Sequence, residues 1–306
     1  REQNSDVNGN PYMWLNNTDL QQLYSYISTE VDDNLAKFIV MYRQYGPASS
    51  TGGTQSLGST IKALLTGASG STPAPTTVTG DLSSYKLQYN KAGGNQFTSY
   101  FQLVNASVNI QSTDPTTKKT ITTKYASPLN DASKQPTLLP LLFQYTTLSQ
   151  NAEIPARINV NTAPKEILTA LENVGGNPSG LADTDVANII QMRELATGLP
   201  GDIYATPTWL LTEAKITPKV LQQLDMNYIT TRSQVYRVQA VGYFDGGKGP
   251  AVRVEAVIDT GCPSGTNPST ALNAGRPRIL AWRNLSDLGK GWTDPNNANA
   301  NPNPNP

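Results

Sequence analysis

Two stretches of this chain carry apolar residues at helical spacing in pairs, and both pairs lie among segments that alternate like strands. In the first pair, Leu20, Leu23, Tyr24 and Ile27 fall at i, i+3, i+4 and i+7, and Asn17 or Thr18 stands where a helix over 19–28 would be capped. A turn over 29–32 leads to a second helix with Leu35, Phe38, Ile39 and Tyr42 on one face, stopped by Gly46-Pro47. In the second pair, Asn161 or Thr162 caps a helix with Pro164 in its first turn, continuing through Ile167, Leu168 and Leu171. A glycine-rich turn over 174–180 reaches Asp183, the cap of a helix carrying Val186, Ala187, Ile189, Ile190 and Met192. Aligned, Asn17-Thr18 matches Asn161-Thr162, Leu23 matches Ile167, and Phe38-Ile39 matches Ile189-Ile190. Arg43 and Arg193 follow one position out of step, and the pattern reads as a duplicated helix-turn-helix unit.

The rest of the chain supplies strands and loops. Residues 85–89, 99–110 (with a slip at Asn105-Ala106) and 120–125 read as strands. Residues 138–148 are apolar but contain Pro140, which leaves helix and strand both open. Residues 48–80 form a loop rich in Ser, Thr, Gly and Pro, with one helical turn at 61–65. Short helices are predicted at 207–211 and 218–224. Strands follow at 234–243 and 251–259, joined by a glycine-rich loop, and another at 278–283. The Asn/Ala/Pro tail over 294–306 lacks apolar residues to bury. The expected class is α+β, in five consecutive segments: a first helical hairpin over 1–47, a strand-bearing insertion over 48–154, a second hairpin with short helices over 155–233, C-terminal strands over 234–293, and the tail.

Composition narrows the chemistry. The 306 residues include 23 basic and 23 acidic side chains, one cysteine and no histidine. A Ser-His-Asp triad, a Cys-His pair and a histidine zinc site are therefore excluded, and Cys262 has no intrachain disulfide partner. Charged residues make up 15%, against about 25% in an average soluble domain. The surface is thus neutral and hydrogen-bonding, a poor start for electrostatic capture of nucleic acid. No run of 18 apolar residues occurs to span a bilayer.

From Arg157 to Leu168 the sequence reads Arg-Ile-Asn-Val-Asn-Thr-Ala-Pro-Lys-Glu-Ile-Leu. It resembles the minor pseudopilin K family of type II secretion, which carries such a segment ahead of a helix-hairpin-helix unit. The resemblance continues through Trp209-Leu210-Leu211, Ile216-Thr217, Tyr228 to Ser233 and Val235 to Gly242, covering about residues 155–260 and, less fully, 12–46. It implies an antiparallel pseudopilin-like sheet with an inserted helical domain. An apolar helix preceding Arg1 would anchor the protein in the inner membrane, with the remainder in the periplasm. It further implies other minor pseudopilins as partners and a steric role at the pseudopilus tip that needs no catalytic residue. The single cysteine and the Ser/Thr/Pro-rich insertions depart from the family's pattern.

Calcium is associated with that family, and Asp183, Asp185 and Asp202 are the candidate ligands. As first-turn acids, the first two also suit a helix dipole. Asp6 to Asn10 resembles the opening of a calcium loop, but Asn17 stands where a bidentate Glu is needed. Tyr24, Tyr42, Tyr45 and Trp209 are candidate docking residues, with core packing as the ordinary alternative. A surface or filament structural protein is the second reading, and a DNA-binding helix-hairpin-helix protein the third. Against the latter, residues 15–45 hold two basic and four acidic side chains, and 157–198 hold three and five.

Overall fold

In the computed structural model, residues 2–6, 10–48, 76–114, 116–174, 177–178, 180–195, 201–244, 251–260 and 277–288 are described. In chain order the elements are β1 (Glu2–Gln3), β2 (Met13–Trp14), α1 (Leu20–Glu30), α2 (Asp33–Tyr45), β3 (Thr76–Thr79), β4 (Ser107–Thr113), β5 (Thr120–Ala126), α3 (Gln135–Tyr145), β6 (Thr146–Thr147), β7 (Glu153–Ile154) and β8 (Ile158–Asn159). There follow α4 (Lys165–Thr169), β9 (Asn173–Val174), β10 (Asn177–Pro178), α5 (Asp183–Leu195), α6 (Trp209–Thr212), α7 (Pro218–Tyr228), β11 (Ile229–Thr230), β12 (Val235–Gly242), β13 (Val252–Asp259) and β14 (Arg278–Asn284). The class is mixed α+β. The helical turn expected at 61–65, the glycines at 175–176, the loop over 245–250, Cys262 and the tail lie outside the described residues.

The chain forms two compact units that cut across the five expected segments. One comprises residues 1–10, 152–156 and 233–306; the other comprises 11–151 and 157–232. In the first, β1 pairs with β7, and β12, β13 and β14 form an antiparallel sheet in that order. The second holds the helices and a sheet ordered β3-β5-β4.

Within the helical unit one series of elements occurs twice. A two-residue strand leads into a helical pair; much later, a helix of eleven residues ends in another two-residue strand that pairs in parallel with the first. In one copy β2 pairs with β6, and α3 supplies the closing helix; in the other β8 pairs with β11, closed by α7. The expected insertion over 48–154 therefore closes the first copy. Its core gathers Leu23, Ile27, Leu35, Phe38, Ile39, Leu139 and Leu142; the second gathers Leu168, Leu171, Val186, Ile189, Trp209 and Leu221.

The register of the copies differs by one residue from the sequence alignment. β2 and β8 are equivalent, so Leu15-Asn16 matches Val160-Asn161. α2 and α5 both have thirteen residues, and Arg43 and Arg193 occupy the same position in them. The arginines are in step. Arg43 Nη1 donates to Leu15 O at 3.3 Å and its Nη2 to Gly93 O at 3.1 Å; Arg193 Nη1 donates to Val160 O at 3.1 Å and Ala163 O at 2.7 Å.

Several local expectations are corrected. The cap of α1 is Asp19, whose carboxylate accepts from the N–H groups of Gln21 and Gln22. Asn161 caps nothing. Its Nδ2 donates to Tyr204 O and its Oδ1 accepts from Trp209 Nε1, while Pro164 opens α4. Residues 85–89 are not a strand. The slip at Asn105 is a left-handed turn (φ 58°) that separates a 3-10 turn over Tyr100–Leu103 from β4. The apolar run with Pro140 is helical.

Replacing Arg43 with Met leaves the buried Leu15 carbonyl and the part-buried Gly93 carbonyl without their donor and is expected to cost about 3 kcal/mol. Arg193→Met, at a partly exposed site, should cost about half as much. Urea unfolding of the two variants checks both the size and the order.

Candidate interaction surface

The candidate residues divide by burial. Trp209 is fully buried (0% exposed), its indole N–H on Asn161 and its ring 5.0 Å from Tyr204. Tyr42 is 6% exposed and stacks on Phe97 at 4.4 Å. Both are core residues, which corrects their reading as docking groups. Tyr24 and Tyr45 keep partial exposure on the first helical pair. The Tyr24 hydroxyl donates to Asp33 at 2.7 Å; that bond pushes its pKa up to about 12 and holds Asp33 below the usual carboxylate range. Lys91 Nζ stands 3.7 Å above the Tyr45 ring, a cation–π contact.

Asp183 and Asp185 begin α5. Asp185 Oδ2 accepts from the N–H of Ala182 at 3.0 Å, the return half of a capping box. Asp202 lies in a 3-10 turn over Gly201–Ala205, and its side chain is outside the described residues, as are residues 7–9 of the Asp6 loop. Among the described residues no three acidic or cysteine side chains cluster as metal ligands.

Sequence reasoning passed over Asp225 on α7. It is almost wholly buried; its Oδ2 accepts from Ser99 Oγ and from the N–H of Tyr100, both at 2.9 Å, and its Oδ1 has no hydrogen-bond partner among the described residues. Gln222, one turn earlier, donates to Phe101 O at 3.1 Å. These bonds fasten the second copy's closing helix to the 3-10 turn between the cores. Burial raises the Asp225 pKa to about 6, against the lowering effects of Ser99, the Tyr100 N–H and the charge of Arg157. Its bonds to the buried Ser99 hydroxyl and the Tyr100 N–H hold the 3-10 turn in place.

The sheet of the other unit presents two unlike faces. Cross-strand register places Tyr236, Val238 and Ala240 of β12 opposite Ile258, Ala256 and Val254 of β13, with Trp282 of β14 opposite Ala256. On this face Tyr236, Val238 and Trp282 remain 49%, 45% and 60% exposed. The reverse face carries Arg237, Gln239, Arg253 and Glu255. There Glu255 accepts from Arg237 (2.6 Å) and Gln239 (2.7 Å), and the Arg237 guanidinium holds it below the usual carboxylate range. The alternation of these strands was visible in the sequence, but the exposure of their apolar face was not. A contiguous apolar sheet face of this kind marks an interaction surface.

Comparison of the chain with known protein families, with curated proteins and with solved structures finds no match.

A carboxyl whose pKa is raised on folding binds more protons in the native than in the unfolded state between about pH 4 and 6, so its contribution to stability falls as pH rises through that window. Relative to wild type, Asp225→Asn should therefore gain about 3 kcal/mol between pH 4 and pH 7. Paired denaturation curves across that range provide the check.

Proposed function

We propose that this chain is a non-enzymatic, minor pseudopilin-like component of a type II secretion pseudopilus, acting through subunit assembly and steric capping of the tip. The observation that carries the reading is the division of the chain. One unit gathers residues 1–10, 152–156 and 233–306 and holds two antiparallel sheets, β1 with β7 and β12 with β13 and β14, while a helical unit over 11–151 and 157–232 interrupts it in sequence. A pseudopilin sheet with an inserted helical domain has this order.

The open apolar face supports the reading from a second direction. Its proposed cover is the apolar helix that the family resemblance implies ahead of Arg1, about 20 residues if it also spans the inner membrane. Glu2–Gln3 belongs to the same unit as the sheet, so a helix entering there reaches the unit it is proposed to cover. The bulk of the inserted unit would then block addition of further subunits. The balanced charge favours other minor pseudopilins as partners, with no nucleic acid required. Calcium remains a proposal resting on the resemblance alone, and the expected location is periplasmic and inner-membrane anchored.

The test is co-purification of the full-length precursor with the other minor pseudopilins. Val238→Ser with Trp282→Ser removes about 3 kcal/mol of apolar burial between the apolar helix and the sheet, so the helix should lose its seat and recovery of the partners should fall. Arg237→Ala on the reverse face should leave recovery unchanged. Undiminished co-purification by the double variant, or no association by the wild type, would sink the proposal.

A further inference from the structure

A cleft of about 560 Å³ opens in the helical unit, where the end of α2, the turn at Asn105, the β3-β5-β4 sheet and α7 meet. That volume suits a small ligand. One wall is a sheet face. Asn109 pairs directly with Lys124 across β4 and β5, and Thr77 of β3 lies two positions along on the same side. The other wall brings Asn105, Gln102 and Gln222.

The chemistry of this lining is selective. Among the described residues, the side chains of Asn105, Asn109 and Lys124 make no hydrogen bond or ion pair, and Asn105 and Asn109 are exposed. Gln222 spends its Nε2 on Phe101 O, which leaves its carbonyl oxygen as an acceptor. Carboxamides both donate and accept, as sugar hydroxyls do, so each can meet a hydroxyl in either sense. Among the described residues no carboxylate lines the cleft to repel an anion, and the cation they supply is Lys124. A phosphate monoester, at about −2, would be only half neutralised by Lys124, whereas the single charge of a carboxylate is matched. An apolar ligand would leave the amides unpaired, at a cost of about 1–3 kcal/mol each. Asn105 holds φ 58°, a left-handed conformation that asparagine tolerates better than most residues, and that turn sets it in the lining of the cleft.

We propose that this cleft binds a saccharide carrying a uronic-acid carboxylate, with Lys124 answering the carboxylate and Asn105, Asn109 and Gln222 answering the hydroxyls. This inference is independent of the secretion reading.

The experiment is titration of the intact chain with trigalacturonate and with maltotriose as its neutral counterpart, followed by calorimetry and by amide chemical shifts. Trigalacturonate should bind about tenfold more tightly, the worth of one charge-assisted bond, and Lys124→Gln should erase that difference. Asn109→Ala should weaken both sugars, and Asn105→Gly, which keeps the left-handed turn, should do the same. All three variants alter exposed side chains, and circular dichroism with unfolding midpoints establishes that they fold. Absence of binding by wild type at roughly 10 mM sugar, a range far weaker than useful recognition, overturns the proposal. So does equal binding of the two sugars, full affinity in both asparagine variants, or displacement by inorganic phosphate as effective as by trigalacturonate.

Discussion

The helical unit depends on one residue in each copy being held from both sides. Leu15 gives its N–H to Thr147 O at 2.8 Å and its carbonyl to Arg43; Val160 gives its N–H to Thr230 O at 2.9 Å and its carbonyl to Arg193. The parallel pairs at these points are only two residues long and join segments far apart in the chain. Such a pair offers too few bonds to offset the entropy of closing the loop. The arginine supplies what the strand lacks, tying the entry of the helical pair to its second helix. Arg43 does so without a carboxylate, and burial lowers its pKa. Its charge is accommodated by neutral carbonyl oxygens, which makes the geometry of the entry strand as much a requirement of the arginine as the reverse.

That dependence explains what could and could not be read from the sequence. The helices over 20–30, 33–45, 183–195 and 218–228 were legible because each buries a face at helical spacing, and the strands at 235–242 and 252–259 because their side chains alternate. The alignment slipped because it was anchored on two Asn-Thr pairs. The asparagines that correspond are Asn16 and Asn161, and both act as amide clamps on distant chain: Asn16 Oδ1 accepts from the N–H of Phe97 at 2.7 Å and its Nδ2 donates to Phe97 O at 2.9 Å, while Asn161 holds Tyr204 and Trp209. An asparagine before a helix ordinarily announces a cap. Nothing local distinguishes a cap from a clamp whose partner lies some forty to eighty residues away. The misaligned arginines were a clue for the second helix alone, where a shift of one residue brings them into step; the entry segment shifts by one residue in the opposite direction.

Two of the four candidate docking residues, Tyr42 and Trp209, lie in the core for a related reason. A tryptophan or tyrosine at helical spacing fits a core or a surface equally well from sequence, and the choice rests on partners such as Asn161 for Trp209 or Phe97 for Tyr42. Tyr85 was assigned to a strand through alternation alone. It packs edge-on against Tyr125 at 5.1 Å, in a segment with no strand partner. Alternation describes a half-buried segment, and a strand also needs an edge to pair with.

The two copies are equivalent in order but not in chemistry, and the difference lies where they meet. With Gln135 matching Pro218 and Tyr145 matching Tyr228, Leu142 in the first closing helix corresponds to Asp225 in the second. Leu142 is buried in its own core; Asp225 caps the turn at Ser99 and Tyr100. A leucine at Asp225 would bury more readily, because the carboxyl enters with one oxygen unsatisfied. It would also leave the Tyr100 N–H and the Ser99 hydroxyl without their acceptor, and the turn free to settle elsewhere on the apolar seam. The carboxylate therefore trades stability for a defined seating of the turn, which contributes Phe101 to one core while Tyr100 and Leu103 join the other. That seating fixes Gln102 and Asn105 beside Gln222 and so gives the adjoining cleft its second wall.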